Sequence, residues 1–236
     1  MRYIALPFRE IRSLSFYLAM EEFVARRLQE PDAFFMWQVE PSVIFGRNQV
    51  MENEVNLNYC REHGIRVYRR KSGGGCVYAD MDNVMLSFIT DGDNVGLTFN
   101  RFVTMIQLVL HKMGINTTST QHNDIMIGDR KVCGTAFYQL PGRSIVHSTM
   151  LYDTNMQHML NAITPSIEKL QKKGIQSVRQ RITLLKDHTQ LSLDEVKAQI
   201  RSILCDGEMM LTLEQVAEIE VLEQSYLKNE FINLIQ

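Results

Sequence analysis

The 236-residue sequence lacks any apolar run approaching the ~18 to 20 residues of a membrane span. Its first ten residues contain no signal-peptide core. No repeat or low-complexity stretch is visible. A basic excess is also missing. Lys and Arg number 25 against 27 Asp and Glu, a formal charge of −2, so the chain does not have the electrostatic footprint of a nucleic-acid binder. Cys60, Cys76, Cys133 and Cys205 form no CxxC pair, and the nearest two are 16 positions apart. That spacing argues against a structural zinc site and against a disulfide framework. It fits reduced thiols in a cytoplasmic protein.

What is present is ordinary globular material, 45% hydrophobic and 22% charged. The length suits one large domain, or one domain plus a small appendage. Residues 13–30 read as an amphipathic helix. Leu14, Tyr17, Leu18, Glu21 and Val24 recur at three and four, and Pro31 ends the run. Strands are expected over 33–39 and 42–45, the second closed by Gly46. A short helix over 57–63 stops at Gly64. Strand-type runs follow at 65–70, 76–79 and 84–90, then a helix over 100–113 closed by Gly114. From 115 to 152 short strands return, with turns at Gly128-Asp129 and Pro141-Gly142, and 145–151 is the last clear strand. Residues 156–173 read as helical, with Pro165 opening a second part. Ser192 with Glu195 and Thr212 with Gln215 form capping boxes that start two more helices. Strands and helices come in blocks, which predicts an α+β fold with a mixed, largely antiparallel sheet flanked by helices.

Three segments could carry chemistry. In Arg69-Arg70-Lys71-Ser72-Gly73-Gly74-Gly75 the glycines allow positive φ and close approach to a ligand, and the flanking cations could hold a carboxylate or phosphate. The P-loop spacing is absent. Read alone, the segment fits a flexible polar hairpin equally well. The second segment places Lys131 on a strand near Gly134 and Ala136, where its ammonium could serve as a point charge for a carboxylate or phosphate. By itself that residue also fits a solvated hairpin lysine. In the third, His147-Ser148-Thr149, neighbouring side chains of one strand point to opposite faces and form no catalytic pair. Cys76 and Cys133 lie within the glycine-rich motifs, where small buried hydrophobes are the plainer reading.

Together these segments resemble the lipoate–protein ligase A family of the biotin/lipoate ligase and octanoyltransferase superfamily. Gly46-Arg47-Asn48-Gln49 is similar to an early family strand. The stretch from Arg69 through Ser72, Gly73, Gly74, Gly75, Val77, Tyr78 and Asp80 to Asn83 resembles the RRxSGGGxVYHDxGN signature. Asn123-Asp124-Ile125 resembles NDI, and Lys131 with Gly134 and Ala136 resembles KxxGxA. His147-Ser148-Thr149 resembles HGT, and Ser177-Val178-Arg179-Gln180-Arg181 resembles SVRxR. Six motifs in family order are specific where one would be weak.

The resemblance implies ATP-dependent activation of lipoate to lipoyl-AMP, with Mg²⁺ shielding the triphosphate. The lipoyl group then passes to a lysine of a carrier domain, such as a dehydrogenase acyltransferase subunit or the glycine-cleavage H protein. It places Lys131 at the lipoate carboxylate and then at the acyl-phosphate, as electrostatic catalyst. It puts the substrate and ATP on Arg70, Ser72, Gly73, Gly74, Gly75, Val77, Tyr78, Asn83, Asn123, Asp124, Gly134, Ala136 and His147. Ala79, Asp82 and Ser148 depart from the family's His, Gly and Gly. Residues 1–185 are expected to form the catalytic core and 186–236 a helical extension. The length leaves no room for the family's small accessory domain, so a partner chain or a preformed lipoyl-AMP enters the expectation. The rivals are a cysteine-dependent octanoyltransferase, a biotin ligase and a non-catalytic binder. The cysteine positions of the first and the arginine-rich loop of the second are missing.

Overall fold

The computed structural model describes residues 1–92, 94–121, 124–164 and 181–233. Asn123, the helix expected beyond 164 and the first four residues of the Ser177–Arg181 motif fall outside the described residues. The strands are β1 (Arg2–Ala5), β2 (Asp32–Trp37), β3 (Ser42–Phe45), β4 (Arg66–Arg69), β5 (Cys76–Ala79), β6 (Asn83–Asp91), β7 (Thr118–Ser119), β8 (Ile125–Ile127), β9 (Arg130–Leu140), β10 (Arg143–Leu151) and β11 (Gly207–Met210). The helices are α1 (Leu14–Arg27), α2 (Met51–Glu54), α3 (Leu57–Glu62), α4 (Val95–Lys112), α5 (Met156–Ala162), α6 (Leu193–Leu204), α7 (Leu213–Leu227) and α8 (Asn229–Ile232).

Among the described residues the larger sheet runs in the order β11-β1-β2-β6-β10-β9-β8-β7. It is parallel across β11-β1-β2 and antiparallel from there on. The architecture is therefore the expected mixed, largely antiparallel α+β fold. Strand alternation sorts the core onto the two faces. Val84, Leu86 and Phe88 point to the face covered by α4 and α6, while Met85 and Ile89 point to the face covered by α1 and α7. Burying one such Leu or Phe is worth roughly 1.5–3 kcal/mol.

α1 starts where Ser13 caps the Phe16 N–H and is buried from Leu14 to Ala25. It is enclosed because the sheet lies on one side and α7 on the other. Glu223 of α7 accepts hydrogen bonds from Ser13 and Ser15, and Tyr226 donates to Glu22 at 3.0 Å.

The smaller sheet, β4-β3-β5, pairs β3 with β4 in parallel and with β5 antiparallel. The glycine loop crosses from β4 to β5 at one end of this sheet. β1 and β11 were not legible in the sequence. Each is four residues long with little alternation, and they become strands only by pairing with each other and with β2. α4 begins five residues before the expected start, because the Asn94 side chain caps the Leu97 N–H at 3.0 Å. Both capping boxes form as read.

Candidate active site

Three elements converge on one cavity of about 250 Å³: the glycine loop, the α1 side of β9 and β10, and α1 itself. Its apolar wall includes Leu18, Trp37, Ile44, Val77, Met85 and Ala136. Its charged lining consists of Arg70, Asp124, Lys131 and Arg181. Two larger and more open grooves, about 900 and about 1,090 Å³, contain none of Lys131, His147 and the glycine loop.

The glycine loop is fixed by close backbone approach. A Cβ on Gly46 would lie 2.1 Å from the Gly74 carbonyl oxygen, so only glycine at 46 lets the loop settle on the end of β3. Gly74 itself has φ +90°, a left-handed value that favours glycine. Arg70 ties this together from beneath. Its guanidinium is 4% exposed as a residue and donates to the carbonyls of Ile44 (3.1 Å), Gly73 (2.8 Å) and Gly75 (2.7 Å). Burial lowers its pKa to about 10, so it stays cationic at neutral pH. Its donors hold the loop.

Lys131 is placed by β9. Across the sheet its main chain pairs with Met126 and, by an isolated bridge, with Ile182. Its side chain lies over Gly134, and Nζ meets Asp124 Oδ1 at 2.8 Å. Asp124 Oδ2 accepts from Arg181 Nη2 at 3.1 Å. One carboxylate thus bridges two cations at the cavity.

Behind this lies a buried polar chain that pattern reasoning missed. Trp37 Nε1 donates to Ser87 Oγ at 2.8 Å, and Ser87 donates to Glu21 Oε1 at 2.5 Å. His147 Nδ1 meets Glu21 Oε2 at 2.9 Å, and Ser72 Oγ meets His147 Nε2 at 2.7 Å. With Nδ1–H donated to the carboxylate, Nε2 is left to accept from Ser72. The network fastens the glycine loop to the sheet and sets the orientation of His147 and Trp37, both lining the cavity. One signal was available: Glu21 sits on the otherwise apolar stripe of α1, where a charge needs a buried partner.

Other expected residues divide by position. Gly74, Gly75, Val77, Gly134, Ala136 and His147 line the cavity, while Ser72 reaches it through His147 and Gly73 through Arg70. Tyr78 is fully buried under the smaller sheet with Val43, Phe45 and Met159, away from the cavity. Asn83 is also fully buried, donating to Thr154 at 3.0 Å. Asp80 accepts from Asn155 N–H at 2.9 Å, which pins the turn after β5 to the start of α5. Ala79 lies in the apolar core, and Ser148 is a cavity residue.

Burial pushes the thiols of Cys76 and Cys133 up to about 12, so neither is a thiolate at neutral pH. That disfavours a thioester route. Among the described residues no group of three His, Cys, Asp or Glu side chains could hold a metal ion, and no helix is long and apolar enough to cross a membrane.

Residues 13–204 match the family model of the lipoyl protein ligase A/B catalytic domain. Over 184 residues the chain is 37% identical to lipoate–protein ligase 1 of Staphylococcus aureus, covering 76% of this chain and 56% of that protein. The chain spans about half the length of the curated relatives it matches. It is 26% identical, with a TM-score of 0.83, to a chain solved in a study of the bi-partite lipoate protein ligase and E2 lipoyl domain of Thermoplasma acidophilum, covering 100% of this chain and 97% of that one. A lipoate-protein ligase A bound with ATP shares the fold over the whole of both chains, at 23% identity and a TM-score of 0.85. By sequence and by fold, the chain belongs to the lipoyl protein ligase A/B catalytic-domain family.

Proposed function

We propose that this chain activates lipoate with ATP to lipoyl-AMP and transfers the lipoyl group to a lysine of a lipoyl carrier domain. The observation that carries this reading is a cavity with an apolar wall and Lys131 in its charged lining. An aliphatic acid with one terminal carboxylate has that same division of character. The volume of about 250 Å³ falls just under the ~300–1,000 Å³ of typical small-molecule pockets. It suits the acyl tail, with the nucleotide lying over the charged side.

The chemistry follows from charge. Attack of the carboxylate on the α-phosphorus of ATP expels pyrophosphate. Later attack of a neutral lysine amine on the acyl carbon expels AMP as the amine gives up a proton. Both steps develop negative charge on oxygen. A fixed ammonium in a partly desolvated site lowers both barriers. Lys131 therefore acts without forming a covalent bond. His147, locked between Glu21 and Ser72, and Arg70, spent on loop carbonyls, shape the pocket. Mg²⁺ belongs with the triphosphate as part of the substrate. Asp124, the carboxylate beside Lys131, already has both oxygens engaged. The names of the relatives and the E2 lipoyl domain of the archaeal system support lipoate as the acid and a lipoyl domain as the acceptor.

The test is mass analysis of an apo lipoyl domain incubated with the protein. One tube receives lipoate, ATP and Mg²⁺, and a second receives lipoyl-AMP. Modification in the first establishes the full reaction. Modification only in the second restricts the chain to transfer, with activation left to a partner chain. Modification in neither overturns the reading.

A further inference from the structure

Arg69, Arg70 and Lys71 stand in a row at the entrance to the glycine loop. Arg70 lines the cavity, whereas its two neighbours reach the C-terminal helices. Lys71 Nζ donates to Glu22 Oε2 at 2.6 Å and lies 4.4 Å from the centre of the Tyr226 ring. The Tyr226 hydroxyl donates to that same Glu22 oxygen at 3.0 Å. Tyr226 is buried, and its ring meets Phe231 edge-on at 5.7 Å. α7 therefore supplies a seat for the ammonium, with a ring face against the cation and a hydroxyl on its carboxylate.

Arg69 makes a second, separate tie. Its Nε donates to the Ile232 carbonyl in α8 at 2.9 Å. Its Nη1 donates to the Arg47 carbonyl and, at 3.1 Å, to that of Gln49. The Arg47 N–H in turn donates to the Ser72 carbonyl at 2.9 Å. A continuous path of contacts thus runs from α8 into the loop. Both ties start from residues 226–232, and the family match ends at residue 204.

Three successive glycines have no side chains to pack and much backbone freedom to lose, so the loop needs a fixed base. It supplies Gly74 and Gly75 to the cavity, and Val77 follows directly. Moving the base would move that wall.

We infer that α7 and α8 clamp the base of the glycine loop, with Lys71 and Tyr226 as positioning residues for the acyl tail. The choice of lipoate as the acid rests on the ligase reading; the clamp does not.

The experiment pairs hydrogen-exchange mass spectrometry with calorimetric titration of lipoate. Exchange is followed over residues 69–77 and, as a control on the far face of the sheet, over α4. Lys71→Ala and Tyr226→Leu are each expected to speed exchange in the loop and leave α4 unchanged. Each should weaken lipoate by about threefold to tenfold, the scale of one partly buried cation–π and ion-pair contact. Lys71→Arg is expected to restore both readouts, because a guanidinium can meet the same ring and carboxylate. The double variant should be within about twofold of the worse single, since both changes break one contact. Unchanged loop exchange, a parallel rise in α4, unchanged lipoate affinity or multiplied losses in the double variant each overturn the inference. Should melting show that Tyr226→Leu is unfolded, Tyr226→Phe takes its place, and Lys71→Ala must still show the selective loss that Lys71→Arg repairs; its absence overturns the inference too. A wild-type chain that does not bind lipoate overturns the ligase reading and the acyl-tail role, while the exchange data decide the clamp.

Discussion

Gly134 and Lys131 fit together because Gly134 has no side chain. A Cβ at 134 would lie 2.5 Å from both Cε and Nζ of the lysine, well inside contact distance. The ammonium crosses the glycine on its way to Asp124. The glycine three positions after the lysine is thus what lets the cation lie down against the sheet and face the cavity.

Gly134→Ala should displace the lysine while the strand itself survives. An ångström of misplacement in a reacting group costs about 100-fold in rate. The expected outcome is a loss of that order in lipoyl transfer with a nearly unchanged melting temperature. Full activity would show that the lysine position is not critical.

Lys131→Ala should remove the charge outright. A single preorganised electrostatic contact is worth about 10²–10³ in rate. Single-turnover transfer from lipoyl-AMP should fall by at least that factor, with an unchanged circular dichroism spectrum. Retained transfer would mean that another group stabilises the reacting oxygens.

Cys76→Ser and Cys133→Ser should each keep most of the activity, because both thiols are held protonated by burial. Cys133 has no exposed surface, so its replacement by the more polar hydroxyl should cost about 1–3 kcal/mol of stability. Loss of transfer in either variant, with the fold intact, would bring back the thioester route.

Glu21→Ala should leave the Ser87 hydroxyl and the His147 Nδ1–H buried without their acceptor. Each orphaned group costs about 1–3 kcal/mol. Denaturant unfolding should therefore show a loss of several kcal/mol, far above that of an exposed glutamate such as Glu218 treated the same way.

Glu22 gives stability a pH dependence. Burial pushes its carboxyl up, but hydrogen bonds from Lys71, Arg26 and Tyr226 outweigh burial and hold it below the ordinary 4.5. A carboxylate with a depressed folded pKa contributes fully above its unfolded value and loses that contribution as acid titrates it. Glu22→Gln should therefore be less stable at pH 7 by about 1–3 kcal/mol. The gap from wild type should close as the pH falls below 4.5. Parallel unfolding curves at pH 7, 5 and 3 would check this, and a gap that persists at pH 3 would assign the effect to packing.

The sequence by itself determined the local and the covalently near. The helix starts at Ser192 and Thr212 were legible because a capping box is written within four residues, and the first helix was legible from its apolar spacing over 13–30. The α+β class, the glycine loop and the pairing of Lys131 with Gly134 were legible in the same way, since each is a short pattern with a physical reason. Tertiary structure decided everything that depends on residues far apart in the chain. Ser72, His147 and Glu21 are separated by up to 126 positions, and only the packing of α1 on the sheet joins them. Tertiary packing likewise set the guanidinium of Arg70, an expected binding residue that lines the cavity, against the carbonyls of Ile44, Gly73 and Gly75. It also placed Arg181 beside Lys131 through a strand-like contact 51 positions long in the sequence. Periodicity reports which face of an element is buried. What that face meets depends on how the elements close on one another, and no local pattern carries that information.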